Sequence, residues 1–263
     1  MRLSFFQQSM AEKSKILAIE TSSRVGSIAL AEGDELLAVE RFQRNPRHVA
    51  ELLPAIEKKT RELGWRANEL EEVYVSAGPG SFTGLRIGIT VAKTLAQACG
   101  ARIVAVGSIE VIAANAPDEA VNVGVVLDAK RKQIFAGRFE RKNGKLINTL
   151  PACLIDPGQF VKESPRPLLL IGEGIKYHQE ALKGEGVSIA DESPGLPRAE
   201  MVHRIGREMA KKGEYAGAAE LTPIYLRLPE AEELWIKRHE TKTSRKDTNE
   251  RNDRQESGNH PVR

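Results

Sequence analysis

The sequence has 263 residues, of which 41% are hydrophobic and 29% charged, and its formal net charge is +3. This length allows one large domain or two modest ones, and no apolar run approaches the ~20 residues that a membrane-spanning helix needs. The two cysteines, Cys99 and Cys153, are too few for a disulfide framework or a four-thiolate metal site. Together these features predict a cytoplasmic protein.

The net charge comes from the C-terminal segment. Residues 237–263 hold eight Lys or Arg and five Asp or Glu, which leaves 31 of each sign in residues 1–236. This segment has no aliphatic or aromatic residue before Val262, so it cannot bury enough apolar surface to become ordered. We therefore expect a disordered basic tail over 237–263, and a flexible N-terminus over 1–14.

The first part of the chain predicts a three-stranded meander followed by a helix. Three short apolar runs are typical of strands: Lys15–Glu20, Val25–Ala31 and Glu35–Phe42. The hydrophobic period then becomes helical over His48–Leu63. Pro54 lies inside that pattern, so the helix either begins close to Pro54 or is kinked there.

A strand, a glycine-rich turn and a long helix are predicted next. The expected elements are a strand at Glu71–Ser76, a helix at Leu85–Cys99 ending at Gly100, a strand at Arg102–Val106 and a further helix capped by Ser108. Strands that alternate with helices in this way are typical of a mixed sheet covered by helices.

A second meander repeats the pattern of the first. Its predicted strands are Val123–Asp128, Ile134–Glu140 and Lys145–Thr149, followed by a strand at Pro167–Ile171 and helices near Ile175–Leu182 and Ala199–Lys212. In each copy an acidic residue ends the first strand, Glu20 in one and Asp128 in the other. The repeat predicts a duplicated α/β fold with halves at 15–107 and 108–236, each a ββ-meander plus helices.

The strongest local motif is the string Ser76–Gly88, between a predicted strand and a helix. Its candidate phosphate-binding or structural residues are Gly78, Pro79, Gly80, Ser81, Thr83, Gly84 and Arg86. Glycines and a helix N-terminus suit phosphate binding, but they equally suit a tight strand-to-helix turn. The residues alone leave both interpretations open. The loop lacks the Gly-Lys-Ser/Thr ending of a P-loop.

Acidic residues after the first strand of each copy form a second group of candidates. Glu20, Thr21 and Ser22 could make a vestigial nucleotide turn, contacting phosphate or water around a magnesium ion, or an ordinary β-turn. Asp128 precedes three cations, residues 130–132. That combination is more typical of a salt-bridged surface than of a catalytic pocket.

Catalytic and metal-binding residues are not predicted. The histidines stand at positions 48, 178, 203, 239 and 260, so no two lie within one helical turn as a zinc or iron pair requires. Neither Cys99 nor Cys153 has an adjacent base to activate it.

Several of these motifs together resemble the TsaB (YeaZ) family. The resemblance covers residues 15–236 and rests on Ile19–Ser23, Gly26–Leu30, His48 with Leu52-Leu53-Pro54, Ser76–Gly88, Asp128–Arg131 and Pro223–Arg227. It implies a duplicated fold of the actin/Hsp70/sugar-kinase (ASKHA) type. It also implies a role in making threonylcarbamoyladenosine beside the anticodon of tRNAs that read codons starting with A.

In that family, a paralogue named TsaD transfers the threonylcarbamoyl group, and a small ATPase named TsaE joins the assembly. TsaD carries metal-binding histidines in a stretch that here reads Gly107–Ile112 without histidine. The resemblance therefore implies a non-catalytic activating subunit that reaches tRNA indirectly. It further implies no tightly bound cofactor, with ATP or ADP at the complex interface, and a homodimer when the partner is missing.

The family pattern also implies that the helix at His48–Leu63 contacts the partner. The candidate interface residues are Val49, Leu52, Leu53 and Ile56, although the same side chains could instead pack against their own sheet. Two rival functions are open. One is an ATP-dependent kinase or acyltransferase that uses Glu20 and the Ser81/Thr83 loop, and the other is a metallopeptidase-like protein.

Overall fold

The computed structural model describes residues 14–42, 48–190 and 195–227. The predicted flexible N-terminus and basic tail lie outside these residues, with the exception of Ser14. That residue is buried, and its carbonyl accepts a hydrogen bond from the Gly33 amide at 2.9 Å. Including Ser14 in a flexible segment was therefore wrong.

Residues 15–107 build a mixed five-stranded sheet. Its strands are β1 (Lys15–Glu20), β2 (Ser27–Glu32), β3 (Glu35–Arg41), β4 (Glu72–Gly78) and β5 (Arg102–Gly107), in the order β3-β2-β1-β4-β5. The first three strands are antiparallel, whereas β1, β4 and β5 are parallel. The helices α1 (His48–Glu62) and α2 (Phe82–Cys99) connect β3 to β4 and β4 to β5. Pro54 lies within α1.

The second sheet repeats this topology. After α3 (Ser108–Ala113) come β6 (Asn122–Asp128), β7 (Ile134–Lys142), β8 (Lys145–Ile155), α4 (Pro157–Glu163), β9 (Leu168–Ile171), α5 (Ile175–His178), β10 (Val187–Ile189) and α6 (Ala199–Lys211). The strand order is β8-β7-β6-β9-β10, which is the order of the first sheet. The predicted duplication of an α/β fold is confirmed.

The inner strands of the first sheet, β2, β1 and β4, are buried on both faces. Leu17 and Ile19 of β1 point to the face that α1 and α2 cover, and Ile16 and Ala18 point to the face that α6 covers. This alternation explains why β1 is a continuous apolar run rather than an alternating one.

The last helix of the second repeat packs on the first sheet. Val202 of α6 lies in a core with Ile16 and Tyr74, and a Cβ at Gly206 would lie 2.7 Å from the Tyr74 ring. The helix α3, which directly precedes β6, packs on the second sheet, and its Ile109 lies in the core of that sheet. The predicted C-terminal half, 108–236, was therefore wrong in including α6, which packs on the sheet of the first half. An amphipathic pattern shows which face of a helix is apolar but not which sheet that face packs against.

Several element boundaries differ from the predicted ones. α3 is capped by Gly107 rather than by Ser108, and α5 ends at His178 instead of continuing to residue 182. α4 was not predicted, although Asp156 and Pro157 are a capping residue and a first-turn proline. Within the described residues, no helix is long and apolar enough to cross a membrane.

Candidate functional site

The glycine-rich loop joins the end of β4 to the start of α2. Ser81 caps the helix, since its hydroxyl accepts a hydrogen bond from the Gly84 amide at 3.2 Å. The Gly78–Pro79 peptide bond is cis, and Gly78 has a positive φ of 111°. Ile224 closes the other side of the loop by donating its amide to the Ala77 carbonyl at 2.7 Å.

This loop packs directly against the turn between β1 and β2. The Ser81 amide donates to the Ser22 carbonyl at 2.7 Å, and the Thr21 hydroxyl donates to the Gly84 carbonyl at 2.8 Å. A Cβ at Gly80 would lie 2.4 Å from the Ser22 carbonyl oxygen, and one at Gly84 would lie 1.9 Å from that of Thr21. The chain's own backbone therefore fills the space beside these glycines, which favours the tight-packing interpretation over a phosphate cradle.

Glu20, at the end of β1, is enclosed by the same contacts. The side chain is fully buried, and its carboxyl group accepts hydrogen bonds from the Ser22 amide, at 2.6 Å, and from the Ser76 hydroxyl. Burial raises the pKa of Glu20, although these hydrogen bonds oppose the shift. Because both carboxyl oxygens of Glu20 accept hydrogen bonds from within the chain, the geometry favours a structural role for this residue.

Arg86 belongs to an exposed aromatic cluster at the start of α2. Its guanidinium carbon lies 3.7 Å from the centroid of the Phe82 ring, and its Nε–H donates to the Tyr225 hydroxyl at 2.9 Å. The Phe82 and Tyr225 rings are 5.2 Å apart. The sequence analysis did not identify Phe82 or Tyr225 as surface residues. Phe82 lies in the Ser76–Gly88 motif and Tyr225 in the Pro223–Arg227 motif, both of which carry the family resemblance.

The predicted interface residues of α1 separate into buried and exposed ones. Leu52 is 0% exposed and Ile56 is 6% exposed, and both lie in the core beneath α1. Assigning these two residues to a partner surface was therefore wrong. Leu53, in contrast, is 54% exposed. The side chain of Val49 lies outside the described residues.

The equivalent turn of the second repeat, between β6 and β7, is open and charged. Asp128 accepts a hydrogen bond from the Lys130 Nζ at 2.7 Å and another from the His178 Nε2 at 3.1 Å. Burial opposes ionisation of Asp128, yet the hydrogen bonds from Lys130 and His178 outweigh it and lower the pKa. This ion pair agrees with the prediction of a salt-bridged surface.

No candidate metal centre is found in the described part of the chain, since it has no cluster of three His, Cys, Asp or Glu side chains that could hold a metal ion. His178 is paired with Asp128, and His203 is buried against the Gly33 carbonyl at 2.9 Å. The two cysteines are unpaired thiols that are each partly buried.

Comparison with known proteins finds relatives that match most of this chain. The tRNA threonylcarbamoyladenosine biosynthesis protein TsaB of Bacillus subtilis is 34% identical over 227 residues, which cover 84% of this chain and 97% of the relative. The chain belongs to the TsaB family. The TsaB of Escherichia coli is 27% identical over 221 residues, which cover 81% of this chain and 94% of that protein.

A solved structure and a family model also match most of the chain. YeaZ from Pseudomonas aeruginosa has 25% sequence identity and a TM-score of 0.71, over 81% of this chain and 100% of that one. The model described as "TsaD: tRNA N6-adenosine threonylcarbamoyltransferase" matches residues 43–237. The chain therefore has a role in tRNA threonylcarbamoyladenosine biosynthesis.

Proposed function

We propose that this member of the TsaB family is a non-catalytic subunit that associates with a TsaD-type transferase. In the complex, it holds the transferase in an active conformation for threonylcarbamoyl transfer to the adenosine next to the anticodon of tRNAs reading codons that start with A. The observation that carries the proposal is the packing of the glycine loop onto the Thr21–Ser22 turn.

That packing removes the features that a nucleotide-dependent enzyme of this fold would need. A phosphate beside Gly80 or Gly84 would have to displace the carbonyl oxygens of Ser22 and Thr21. Glu20 is fully buried and hydrogen-bonded to Ser22 and Ser76, so it is closed to a substrate or to metal-bound water. The rival ATP-dependent kinase or acyltransferase depends on these same residues.

The exposed side chains of α1 and α2 support a partner surface. Both helices cover one face of the first sheet, and their outer sides expose Leu53 on α1 together with Phe82 and Arg86 on α2. Tyr225 extends the cluster around Arg86. Exposed apolar and aromatic residues with an arginine have the composition of interface hot spots. We call Leu53, Phe82, Arg86 and Tyr225 the α1–α2 surface.

Two copies of the chain would associate through the α1–α2 surface when the transferase is absent, because apolar groups exposed there favour burial. We further propose that a TsaE-type ATPase joins the assembly and that ATP or ADP binds at the complex interface, with no nucleotide held tightly by the isolated chain.

Charge substitution on the α1–α2 surface tests the proposal. Leu53→Asp should reduce co-purification with the transferase at least tenfold, because a buried unpaired charge costs several kcal/mol at an interface. The fold should persist, since Leu53 is 54% exposed. Co-purification is measured with tagged transferase, and folding is measured by circular dichroism.

Ile147→Asp is the matched control, because Ile147 on β8 is 47% exposed and lies on the other sheet. This variant should co-purify with the transferase like the wild type. If Leu53→Asp and Phe82→Asp both stayed folded and bound the transferase normally, the α1–α2 surface would be the wrong assignment.

A further inference from the structure

The turn between β6 and β7 holds three basic residues in an unusual backbone conformation. Lys130, Arg131 and Lys132 have positive φ values of 62°, 51° and 61°, and all three are exposed. Non-glycine residues rarely adopt this left-handed conformation, and each costs free energy. Three in succession persist only where the surroundings hold them, which is typical of functional sites.

The surrounding contacts hold this turn rigidly. The Asp128 carboxylate accepts the Lys130 amide at 3.0 Å, and the Gln133 amide donates to the Lys130 carbonyl at 3.0 Å. His178, the last residue of α5, donates its Nε2–H to the Asp128 carboxylate at 3.1 Å, which fixes α5 beside the turn. The basic side chains are therefore presented from a pre-organised backbone, which lowers the entropic cost of binding.

An exposed tyrosine lies between two lysines beside this turn. Tyr177 of α5 is 54% exposed, and its ring centroid lies 5.2 Å from the Lys130 Nζ and 4.9 Å from the Lys176 Nζ. An aromatic face next to several cations is the combination that binds unpaired nucleotides, since the base stacks on the ring and the cations contact phosphates.

The charge of this region differs from that of the protein as a whole. Residues 1–236 are neutral. The cations gathered here are Arg24, Lys130, Arg131, Lys132 and Lys176, and Asp128 is the acid that pairs with Lys130. Arg24 belongs to the turn of the first repeat and pairs with Glu173 at 3.5 Å. A cluster of basic side chains on an otherwise neutral protein favours a polyanionic ligand.

We propose that the surface formed by Lys130, Arg131, Lys132, Lys176 and Tyr177 binds a single-stranded segment of RNA. This inference rests on the proposed function, and it adds a direct contact with tRNA to a subunit otherwise expected to reach tRNA through the transferase. The openness of the surface favours RNA over a free nucleotide, because sites for small ligands are concave and bury most of the ligand. The Lys130 side chain is 78% exposed.

The test is the fluorescence anisotropy of a labelled anticodon stem–loop RNA titrated with the full chain, alone and in complex with the transferase. Tyr177→Leu should weaken binding on the order of tenfold without changing the salt dependence, because it removes stacking alone. Tyr177→Phe should bind like the wild type. Lys132→Gln combined with Lys176→Gln should weaken binding and reduce the salt slope by about 1.4, the value for two phosphate contacts.

Lys145→Gln at the opposite hairpin turn is the matched control, and it should leave RNA affinity unchanged. Circular dichroism of every variant verifies folding. Unaltered RNA binding by Tyr177→Leu and by the double lysine variant would overturn the inference. Displacement of the RNA by equimolar ATP would also overturn it, by assigning the surface to a free nucleotide.

The two proposals fail separately. If the variants keep RNA affinity while Leu53→Asp loses the transferase, the RNA surface is wrong and the subunit role stands. If the lysine and tyrosine variants lose RNA while Leu53→Asp and Phe82→Asp still bind the transferase normally, the RNA surface stands without the assigned partner surface.

Discussion

The two repeats carry equivalent turns with opposite character. In the first repeat, the residues after Glu20 are buried, and the glycine loop covers Thr21 and Ser22. In the second repeat, Ala129 is buried, but residues 130–132 are exposed and basic. Both acids end the first strand of their sheet, yet the pKa of Glu20 is raised by burial and the pKa of Asp128 is lowered by its hydrogen-bonding partners.

The glycine loops of the two repeats contact different parts of the turns that follow these acids. Each repeat has a glycine loop after its fourth strand that packs against the end of its first strand. In the second repeat, a Cβ at Gly172 would lie 2.2 Å from the Val126 carbonyl oxygen, which precedes Asp128. In the first repeat, the contact of Gly84 falls on Thr21, which follows Glu20. A Cβ at Gly174 would meet the Asp128 amide nitrogen at 2.6 Å, so the contacts of the second loop lie at the end of β6, whereas those of the first loop cover the turn after Glu20.

The largest expected effect comes from breaking the covered turn. Gly84→Ala would place a Cβ 1.9 Å from the Thr21 carbonyl oxygen, so the loop and the turn must separate. We expect a loss of about 3 kcal/mol or more in the free energy of unfolding, as for severe overpacking. Urea denaturation measures this loss.

Gly144→Ala is the control for that substitution, because Gly144 has a φ of +74° and open space around its Cα. Its cost should be about 1 kcal/mol, from the left-handed backbone alone. Equal losses from the two substitutions would show that the contact with Thr21 does not hold the loop.

A smaller effect concerns the pH dependence of the two acids. The pKa of Glu20 is raised above 4.5, so its contribution to stability is full below pH 4.5 and is lost as pH rises through the folded value. The pKa of Asp128 is lowered from 3.8, so its contribution is present above pH 3.8 and is lost as pH falls through the folded value. With rising pH, the contribution of Glu20 to stability therefore falls, whereas that of Asp128 rises.

Urea denaturation of Glu20→Gln and Asp128→Asn over a pH series measures these contributions. With rising pH, the wild type should lose stability relative to Glu20→Gln above pH 4.5. It should gain stability relative to Asp128→Asn in the acid range around pH 3.8. The same sign for both variants would contradict the proposed contrast between the turns.

The duplicated fold could be predicted from local sequence signals. Short apolar runs and the turn pairs Gly33-Asp34 and Asn143-Gly144 mark both meanders, since turn chemistry and strand periodicity are properties of neighbouring residues. The exchange of α6 onto the first sheet could not be predicted in this way. Its docking depends on Gly206 meeting Tyr74, residues far apart in the sequence.

The sequence identified the residues of the candidate site, but it did not predict how they are arranged in space. Gly80 and Gly84 were identified, but whether they face a phosphate or the chain's own Thr21 depends on a contact across 63 positions. The basic run at 130–132 was interpreted as a surface. Nothing in its residue types indicates positive φ, and the nearby Tyr177 is brought to it only by the fold.

Threonylcarbamoyl transfer reconstituted from purified proteins shows whether this chain activates the transferase without catalysing the transfer itself. Modified tRNA is measured by mass spectrometry of its nucleosides after reaction with the transferase alone, this chain alone, and both together. We predict efficient tRNA modification only when both proteins are present, and much less modified tRNA when the Leu53→Asp variant replaces the wild-type chain. Modification of tRNA by this chain alone, or full activity of the transferase without this chain, would contradict a non-catalytic activating role.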